Sequence, residues 1–305
     1  MTTEKIIIGV ATYGRSDYLK DCLNSLANLA LPDSRSVELM LVDNNPKPQA
    51  ESTLNSIQFS IQAHYFHEKN RGIVHARNRI LLESLSLNAD YLGFLDDDEM
   101  AEENWLTQAV QSLSGHISIV TGPCEFQFDQ PTNWLPHSRI FSPKNHDTAE
   151  YAGTSSTRNV FFDMKIVKKH TLRFEEKLNW LGGSDTFFFI QARALGYRTY
   201  WDNRMLVSEQ IPKSRANLKW VLKRNLRLGG GRIHRERLLK PKILVISQQF
   251  FVALGIVLIG LAETLFLFWQ GHHLIRGIEK ITHGVGMFYA LLGFDYQEYK
   301  SHHGH

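Results

Sequence analysis

Short apolar runs alternate with stretches of helical periodicity along the first half of the chain. The run at residues 5–12 (KIIIGVAT) is apolar and β-branched throughout, whereas residues 18–29 repeat their apolar positions at helical spacing. This pattern predicts a strand followed by a helix, and the same alternation continues along the chain. It predicts further strands at residues 37–42, 63–66 and 91–95, and helices at 49–57, 73–86 and 105–113.

Strands that alternate with helices of this length indicate βαβ crossovers, and therefore an α/β fold with a mostly parallel sheet. Such sheets bind ligands in the loops at the carboxyl ends of their strands. The polar clusters at residues 12–15, 43–45 and 96–99 all follow predicted strands. We therefore expect them to share one edge of the sheet and to form the ligand site.

Four acids, Asp96, Asp97, Asp98 and Glu99, directly follow the strand at residues 91–95. One interpretation is a solvated turn that leads into the next helix, because acids favour the first turn of a helix. The other is a D-x-D pair, in which Asp96 and Asp98 share a hard divalent cation that in turn neutralises a diphosphate. The strands carry no Gly-rich phosphate-binding motif, which favours holding the diphosphate through a metal.

Composition indicates one large domain with an appendage: 43% of the 305 residues are hydrophobic and 21% are charged. Cys22 and Cys124 lie in apolar contexts without metal-ligand spacing, so we expect reduced structural thiols and no structural zinc site. The chain reaches an apolar strand within its first residues, without a basic region or a cleavable apolar segment. We therefore expect no secretory signal and a cytosolic core.

The C-terminal third differs in kind from the rest of the chain. Residues 213–242 contain eleven Lys or Arg and one acid, and residues 250–269 then carry one charge, Glu263, over about the length that crosses a bilayer as a helix. Because Lys/Arg-rich flanks stay cytoplasmic, we predict that residues 213–305 attach the protein to the cytoplasmic membrane face, peripherally or as a single span. A buried helix of a dimer is the alternative. Nucleic acid is not an expected partner, since Trp220 is the one aromatic residue interleaved with the basic run and no nucleic-acid-binding module is recognisable.

Four ordered motifs carry a resemblance to a known family. IIIGVATYGRSDYLKDCLNSL, MLVDNNP, NRGIVHARNRIL and YLGFLDDDE resemble the nucleotide-binding half of a family 2 glycosyltransferase of the GT-A fold. The resemblance continues through TGPCEF, STRNVFFD, FEEKLNWLGGSDTFFFIQARALGYRTYW and VSEQIPKSRANLKWVLKRNLRLGGG, and covers about residues 5–230. It is strongest to the succinoglycan-biosynthesis type of bacterial enzyme, which builds surface polysaccharide.

The resemblance implies an organisation and a set of binding residues. Residues 1–212 would form the GT-A catalytic domain, with a nucleotide-sugar half to about residue 100 and an acceptor half after it, and residues 213–305 would be a helical, membrane-associating region. Asp96, Asp98 and Glu209 would bind Mn²⁺ or Mg²⁺, with a surface salt bridge as the alternative for Glu209. The implied donor-binding residues are Thr12 and Arg15 in the nucleotide pocket, Asp43 on the base, Arg71 beside the uracil or ribose, Arg77 and Asn78 facing the donor, Asp97 towards the sugar, and Arg215 on the diphosphate.

The family resemblance places the catalytic base at Asp185 in WLGGSD. A base must start ionised and take the proton from the acceptor hydroxyl, and Gly182 and Gly183 would let this loop approach the substrate closely. The alternative is that Asp185 caps the helix predicted at residues 186–195. Relatives commonly have acids where this chain has Ser184 and Phe187, which leaves the acceptor open.

The expected activity is an inverting transfer of sugar, with a UDP-sugar as the expected donor and a lipid-linked or polysaccharide acceptor. Two alternatives stay open. The changes at Ser184 and Phe187 would suit a catalytically inactive subunit that binds nucleotide sugar. A sugar nucleotidyltransferase would need a Gly-rich basic loop after the first strand, and ATYGRSD is a poor version of one.

Overall fold

The computed structural model describes residues 3–113, 116–142, 146–267 and 269–294. Its strands are β1 (Glu4–Thr12), β2 (Arg35–Asp43), β3 (Gln62–His67), β4 (Tyr91–Asp96), β5 (Glu99–Ala101), β6 (Ile117–Thr121), β7 (Cys124–Phe128), β8 (Ala149–Tyr151), β9 (Val160–Asp163), β10 (Arg198–Trp201) and β11 (Val207–Ile211). Its helices are α1 (Ser16–Ala27), α2 (Glu51–Asn55), α3 (Ile73–Ser86), α4 (Trp105–Ser112), α5 (Lys165–His170), α6 (Ser184–Ala194), α7 (Leu218–Leu239), α8 (Lys242–Phe266) and α9 (Gly271–Leu291).

The predicted alternation of strands and helices is confirmed. The helix predicted at residues 73–86 coincides with α3, and the other predicted elements begin and end within two residues of their observed bounds. The largest differences lie at element ends, where the backbone is no longer held by a full set of hydrogen bonds. The pattern of apolar positions was therefore enough to predict the strands and helices in this part of the chain.

The larger sheet has the strand order β3-β2-β1-β4-β9-β6-β10-β8. Strand β1 pairs in parallel with both β2 and β4, and β9 runs antiparallel to its neighbours β4 and β6. The register aligns Thr12 with Asp43 and Ala11 with Asp96. The polar clusters that follow β1, β2 and β4 therefore meet at one edge of the sheet, as predicted.

Apolar side chains cover both faces of this sheet. On β1, Ile6 and Ile8 point to the face covered by α1, whereas Ile7 points to the face covered by α3. All three side chains are fully buried, and each contributes about 1.5 to 3 kcal/mol by its removal from water. This packing on two faces fixes the strand ends on which the polar clusters lie.

A smaller sheet has the strand order β5-β11-β7, and its strand β5 follows directly after β4 in the chain. Strand β11 runs antiparallel to β5, and Glu209 is the register partner of Glu99. The pairing of these two short strands thus brings Glu209 to the acidic cluster, although the two segments are far apart in sequence.

Helices α7, α8 and α9 follow the last strand, and α9 packs against both of the others. Glycines permit the close approach: a Cβ on Gly229 of α7 would lie 2.0 Å from the carbonyl oxygen of His283 on α9. Within the described residues, α8 is the helix that is long and apolar enough to cross a membrane. Its single acid, Glu263, forms an ion pair with Lys280 of α9.

Many apolar side chains of α8 are exposed, among them Ile243, Phe251, Leu258, Leu265 and Phe266. Because α9 covers one side of α8, this exposed face is the part of the helix pair that remains available to another surface.

Candidate active site

One cavity opens at the carboxyl ends of β1 and β4. We call the lining residues that lie at or after the ends of β1, β2 and β4, at the start of α3, or before α6 the first wall; they include Thr12, Tyr13, Arg15, Asn44, Arg71, Arg77, Asp96, Asp97, Asp98 and Trp180. We call those from β7, from the segments before β8 and β9, and from β11 through α7 the second wall; they include Phe126, Ile140, Phe141, Arg158, Glu209, Arg215, Trp220 and Arg224.

The structure brings most of the predicted site residues together in this cavity. Thr12, Arg15, Arg71, Arg77, Asp96, Asp97, Asp98, Glu209 and Arg215 all line it. Asp43, Asn78 and Asp185 do not belong to its lining, and each has a different structural reason, described below.

Asp97 and Asp98 are buried against two arginines. Asp97 accepts a hydrogen bond from the Thr12 hydroxyl at 2.7 Å, and the Arg15 guanidinium lies 3.1 Å from Asp97 and 2.5 Å from Asp98. Arg215 donates to the same Asp98 oxygen at 2.8 Å. Burial raises the pKa of Asp97 despite Arg15, whereas at Asp98 burial is outweighed by Arg15 and Arg215, which hold its pKa below the ordinary value.

Asp96 is the more open acid of the D-x-D pair, with about a third of its side chain exposed, and its Oδ1 atom lies 3.4 Å from Arg77 Nη2. Asp96 and Asp98 together offer hard carboxylate oxygens, which suit Mg²⁺ or Mn²⁺. At Asp98 the positive charge is supplied by Arg15 and Arg215. The residues present therefore fit a divalent cation that competes with arginines for carboxylate oxygens.

Two further acids, Glu99 and Glu209, form a second group next to Asp96–Asp98, with Arg158 as their shared partner. Its Nε atom is 3.1 Å from Glu99 Oε1 and its Nη2 atom is 2.8 Å from Glu209 Oε2. Cys124 completes the group: one side-chain oxygen or sulfur atom each from Glu99, Cys124 and Glu209 lies within 4.8 Å of the other two. Burial, then Asp96, raises the pKa of Glu99, and Arg158 opposes this effect. Glu209 does form ion pairs, but they are buried, so the alternative of a surface salt bridge is wrong.

Arg158 is a site residue that the sequence analysis did not single out. It lies in the quoted motif STRNVFFD, directly before Asn159. Asn159 is buried and bonds to the indole of Trp105 and to the carbonyls of Pro123 and Met205, which fixes the backbone next to Arg158. A charged residue at the start of an apolar strand was the available signal.

Asp43 is fully buried and does not reach the cavity. Its two oxygens accept five hydrogen bonds, from the N–H and side-chain amide of Asn45, the N–H groups of Gln49 and Ala50, and the Tyr65 hydroxyl. These bonds shape the loop that follows β2 and leave no exposed oxygen for a base. The structure thus corrects the predicted contact, and the residue of this loop that lines the cavity is Asn44.

Arg77 and Asn78 face different surroundings. Arg77 is buried and lines the cavity. Asn78 instead donates to the carbonyl of Phe174 and accepts from its N–H, at 2.9 Å each. This pair of bonds ties α3 to the segment before α6, and the structure does not bring Asn78 to the cavity as predicted.

Asp185 lies in the first turn of α6, and Gly183 occupies the capping position. Burial disfavours its charge, but Arg77, the N–H of Thr186, Arg235 and Arg227 together hold its pKa below the ordinary value. Asp185 is therefore ionised at neutral pH. Arg77 interacts with both Asp185 and Asp96 and connects this carboxylate to the cavity wall, although Asp185 itself does not line it.

The two changes beside Asp185 have a structural role. Ser184 and Phe187 are both buried, and Phe187 belongs to the apolar side of α6. The preceding Gly182 and Gly183 have φ values of 81° and 80°, in the region that favours glycine. A Cβ at Gly183 would lie 2.3 Å from Arg235 Nη1, so α7 approaches this loop closely.

Aromatic side chains occupy two parts of the cavity. On one side, the Arg71 guanidinium lies over the rings of Tyr13 and Trp180, at 5.5 Å and 5.6 Å from their centroids. On the other side, Phe141 stacks on Trp220 with centroids 5.8 Å apart. Phe126 meets Phe141 edge to face at 5.6 Å. We call Phe126, Phe141 and Trp220 the aromatic wall.

Comparisons with known proteins identify the family of the chain. The model of the family described as "Glycosyl transferase family 2" matches residues 7–196, and the chain belongs to this family. The succinoglycan biosynthesis protein ExoM of Rhizobium meliloti is 30% identical over 258 residues, which cover 83% of this chain and 81% of ExoM.

Two solved structures illustrate the similarity in fold. The mannosyltransferase PcManGT from Pyrobaculum calidifontis, in complex with GDP-Man and Mn²⁺, has a TM-score of 0.63 at 14% identity, with 93% of this chain and 87% of that chain covered. S. aureus TarS 1–349 in complex with UDP-GlcNAc has a TM-score of 0.53 at 13% identity, with 96% and 93% covered. The predicted family and GT-A-like fold are thus confirmed.

Proposed function

We propose that the protein transfers a sugar, with inversion, from a UDP-sugar to a lipid-linked or polysaccharide acceptor in the synthesis of a bacterial surface glycan. The observation that carries this proposal is the convergence of Asp96, Asp98, Arg15 and Arg215 in one cavity at the carboxyl ends of parallel strands. The similarity to ExoM, a succinoglycan biosynthesis protein, supports the class of product. The TarS complex with UDP-GlcNAc supports the class of donor.

The first wall of the cavity holds the donor in this proposal. Tyr13 and Arg71 contact the nucleoside, and Thr12 and Asp97 line the pocket beside it. Asp96, Asp98 and Glu209 would hold Mn²⁺ or Mg²⁺. When bound, the cation neutralises the diphosphate, on which negative charge grows as the glycosidic bond breaks.

Arg15 and Arg215 exchange partners when the donor binds. Both guanidinium groups bond to Asp98 in the structure. With a cation on Asp98, Arg15 and Arg215 would be available to bond to the phosphate oxygens, which are negatively charged like the carboxylate. The site is thus balanced electrostatically both without and with its ligand.

The acceptor hydroxyl attacks the anomeric carbon as the bond to the diphosphate oxygen breaks, and its proton passes to Asp185. Single displacement of this kind inverts the anomeric centre. The lowered pKa of Asp185 supports the role, because a base must be ionised before it acts. The charge of Arg77 lowers the pKa of Asp185, and the same guanidinium lies 3.4 Å from Asp96.

One observation favours a second candidate, a subunit that binds nucleotide sugar without turnover. Ser184 and Phe187 are buried in α6, so no carboxylate stands beside Asp185 at these positions. A sugar nucleotidyltransferase receives less support, because the loop after β1, ATYGRSD, has the single glycine Gly14 and is not a Gly-rich phosphate-binding loop.

Incubation of the protein with Mn²⁺ or Mg²⁺ and a panel of nucleotide sugars separates the three functions. Slow hydrolysis of one donor supports the transferase. Tight binding without turnover supports the inactive subunit, and cleavage that depends on pyrophosphate supports the nucleotidyltransferase. No binding of any donor would refute all three.

We further propose that residues 213–305, of which 268 and 295–305 lie outside the described residues, attach the protein to the cytoplasmic face of the membrane. The exposed apolar face of α8 and the eleven basic residues of the segment 213–242 support this. The ion pair between Glu263 and Lys280 neutralises the acid that most opposes contact with lipid.

Cell fractionation tests the attachment. Full-length protein that stays in the supernatant at low salt refutes it, and release by high salt or alkaline carbonate leaves peripheral attachment and excludes a span. Phe251→Glu on the exposed face of α8 should shift protein to the supernatant. Leu31→Glu, a change at an exposed leucine after α1, is the matched control and should not.

A further inference from the structure

The segment 134–141, which we call the wall loop, forms part of the cavity and is held by a helix from the C-terminal region. Its residues Ile140 and Phe141 line the cavity. Its 3-10 turn at Leu135–His137 packs against α9. The wall loop thus joins the helix pair α8–α9 to the aromatic wall.

Glu279 of α9 makes the central contact. Its side chain is fully buried, its Oε1 atom accepts a hydrogen bond from the Ser138 hydroxyl at 2.5 Å, and its Oε2 atom accepts one from the Arg139 N–H at 2.7 Å. One turn earlier on α9, Arg276 donates to the carbonyl oxygen of His137 at 3.1 Å. Two side chains of one helix therefore hold three consecutive residues of the wall loop.

The packing of α9 alone does not require the charged hydrogen bonds of Glu279. A buried carboxylate is costly unless its oxygens are hydrogen-bonded, and charge-assisted bonds are about twice as strong as neutral ones. An apolar residue at position 279 would pack α9 without this cost. The buried charge instead fixes the wall loop in one position, with Ser138 itself fully buried beside it.

The wall loop in turn positions Phe141. The Phe141 ring stacks on Trp220 of α7 and meets Phe126 and Phe128 of β7 edge to face. A shift of the loop backbone at Ser138 or Arg139 moves the Phe141 ring, because only one residue separates Phe141 from Arg139.

We propose that Glu279 is a positioning residue for acceptor binding: through Ser138 and Arg139 it holds Phe141 in the aromatic wall, which takes an amphiphilic, lipid-linked acceptor. The inference rests on the proposed glycosyl transfer. The aromatic wall lines the same cavity as Asp96 and Asp98, and its three side chains are apolar, as an acceptor with a hydrocarbon part requires. The same α9 packs against α8, whose exposed apolar face suits the lipid surface that carries such an acceptor.

Glu263→Gln is the matched control for Glu279→Gln. Both glutamates lie in the α8–α9 pair. Glu263 bonds to Lys280 of α9, whereas Glu279 bonds to the wall loop. Glutamine keeps the size of the side chain, and its amide nitrogen cannot accept a hydrogen bond from the Ser138 hydroxyl or the Arg139 N–H. Ser138→Ala removes one of the same bonds from the loop side, with α9 unchanged.

The experiment uses full-length protein in membranes, the nucleotide sugar that the donor panel identifies, and acceptor supplied as membranes from cells that lack the protein. Glu279→Gln should raise the KM for membrane acceptor about tenfold, equivalent to about 1.4 kcal/mol. Donor hydrolysis and the Kd for UDP with Mn²⁺ should stay within about twofold of the unmodified protein. Ser138→Ala should change the acceptor KM in the same direction, and Glu263→Gln should leave it unchanged.

Hydrogen exchange of the peptide that contains the wall loop gives an independent reading. Exchange at residues 134–142 should be faster in Glu279→Gln than in Glu263→Gln. Equal exchange in the two variants, or equal acceptor KM, overturns the inference. Parallel loss of donor hydrolysis and transfer in Glu279→Gln also overturns it, because that pattern indicates a general structural role. If the unmodified protein binds no donor, the proposed function fails and the acceptor role falls with it, while exchange still shows whether Glu279 holds the loop.

Discussion

Replacing Arg158 with methionine should destabilise the fold, because Arg158 supplies the positive charge between two buried glutamates. Glu99 is fully buried; its Oε1 atom forms the ion pair with Arg158, and its Oε2 atom accepts a hydrogen bond from the N–H of Asp96. Glu209 keeps Arg215 at 3.4 Å when Arg158 is removed. The main loss therefore falls on Glu99, whose charge would lack a partner of opposite sign at Oε1.

The size of the effect follows from burial. Loss of one partner of a buried ion pair costs about 3 to 5 kcal/mol. About a third of the Arg158 side chain is exposed to the cavity, so water screens part of the interaction, and we expect about 2 to 3 kcal/mol. Glu99→Gln in the Arg158→Met background removes the unpaired charge and should restore at least about 1 kcal/mol, which makes the double-mutant cycle non-additive.

Denaturant unfolding in EDTA, followed by circular dichroism, measures the four free energies of the cycle. Arg198→Met is the control, since Arg198 pairs with Glu150 at the surface and should cost no more than about 0.5 kcal/mol. The reasoning is refuted if Arg158→Met is as stable as the unmodified protein. It is also refuted if Glu99→Gln fails to restore stability in the double variant.

Two other substitutions test single residues. Asp185→Asn should lower transfer about a hundredfold or more and leave the Kd of the donor nearly unchanged, and near-normal transfer would move the base to another carboxylate, with Glu209 next. Asp43→Asn should lower the free energy of unfolding by about 2 to 3 kcal/mol at neutral pH, because it replaces an acceptor of five hydrogen bonds. Although burial acts in the opposite direction, the hydrogen-bond donors around Asp43 lower its pKa, so its stabilisation is present above about pH 3.9 and is lost as the pH falls through the folded-state pKa. A difference between Asp43→Asn and the unmodified protein that grows in acid would contradict this.

Local pattern was enough to predict the elements that build the donor side of the site. Strands β1, β2 and β4 are largely apolar runs, and parallel pairing then places Thr12 and Asp96 at one edge. Family motifs added Arg71 and Arg215, which line the same cavity. These predictions succeeded because each residue lies within a few positions of a strand end or in a recognisable motif.

Contacts between distant segments were not predictable from the sequence. Arg158 meets Glu99 and Glu209 because β9 pairs with β4 and β11 pairs with β5, and Glu279 meets Ser138 across 141 positions. Asp43 is the converse case: it lies in a family motif, but its carboxylate oxygens are occupied by hydrogen bonds from its own loop. Neither periodicity nor composition encodes which partner a buried charge finds.

Calorimetric titration of UDP into the protein, with Mn²⁺ and with EDTA, tests most directly whether Asp96 and Asp98 form a metal-dependent nucleotide site. The unmodified protein should bind UDP more tightly with Mn²⁺, and Asp98→Asn should bind it with the same weak affinity under both conditions. Glu102→Gln, a change at an exposed acid just after the cluster, should behave like the unmodified protein. Equal affinity of the unmodified protein for UDP with and without Mn²⁺ would contradict the account.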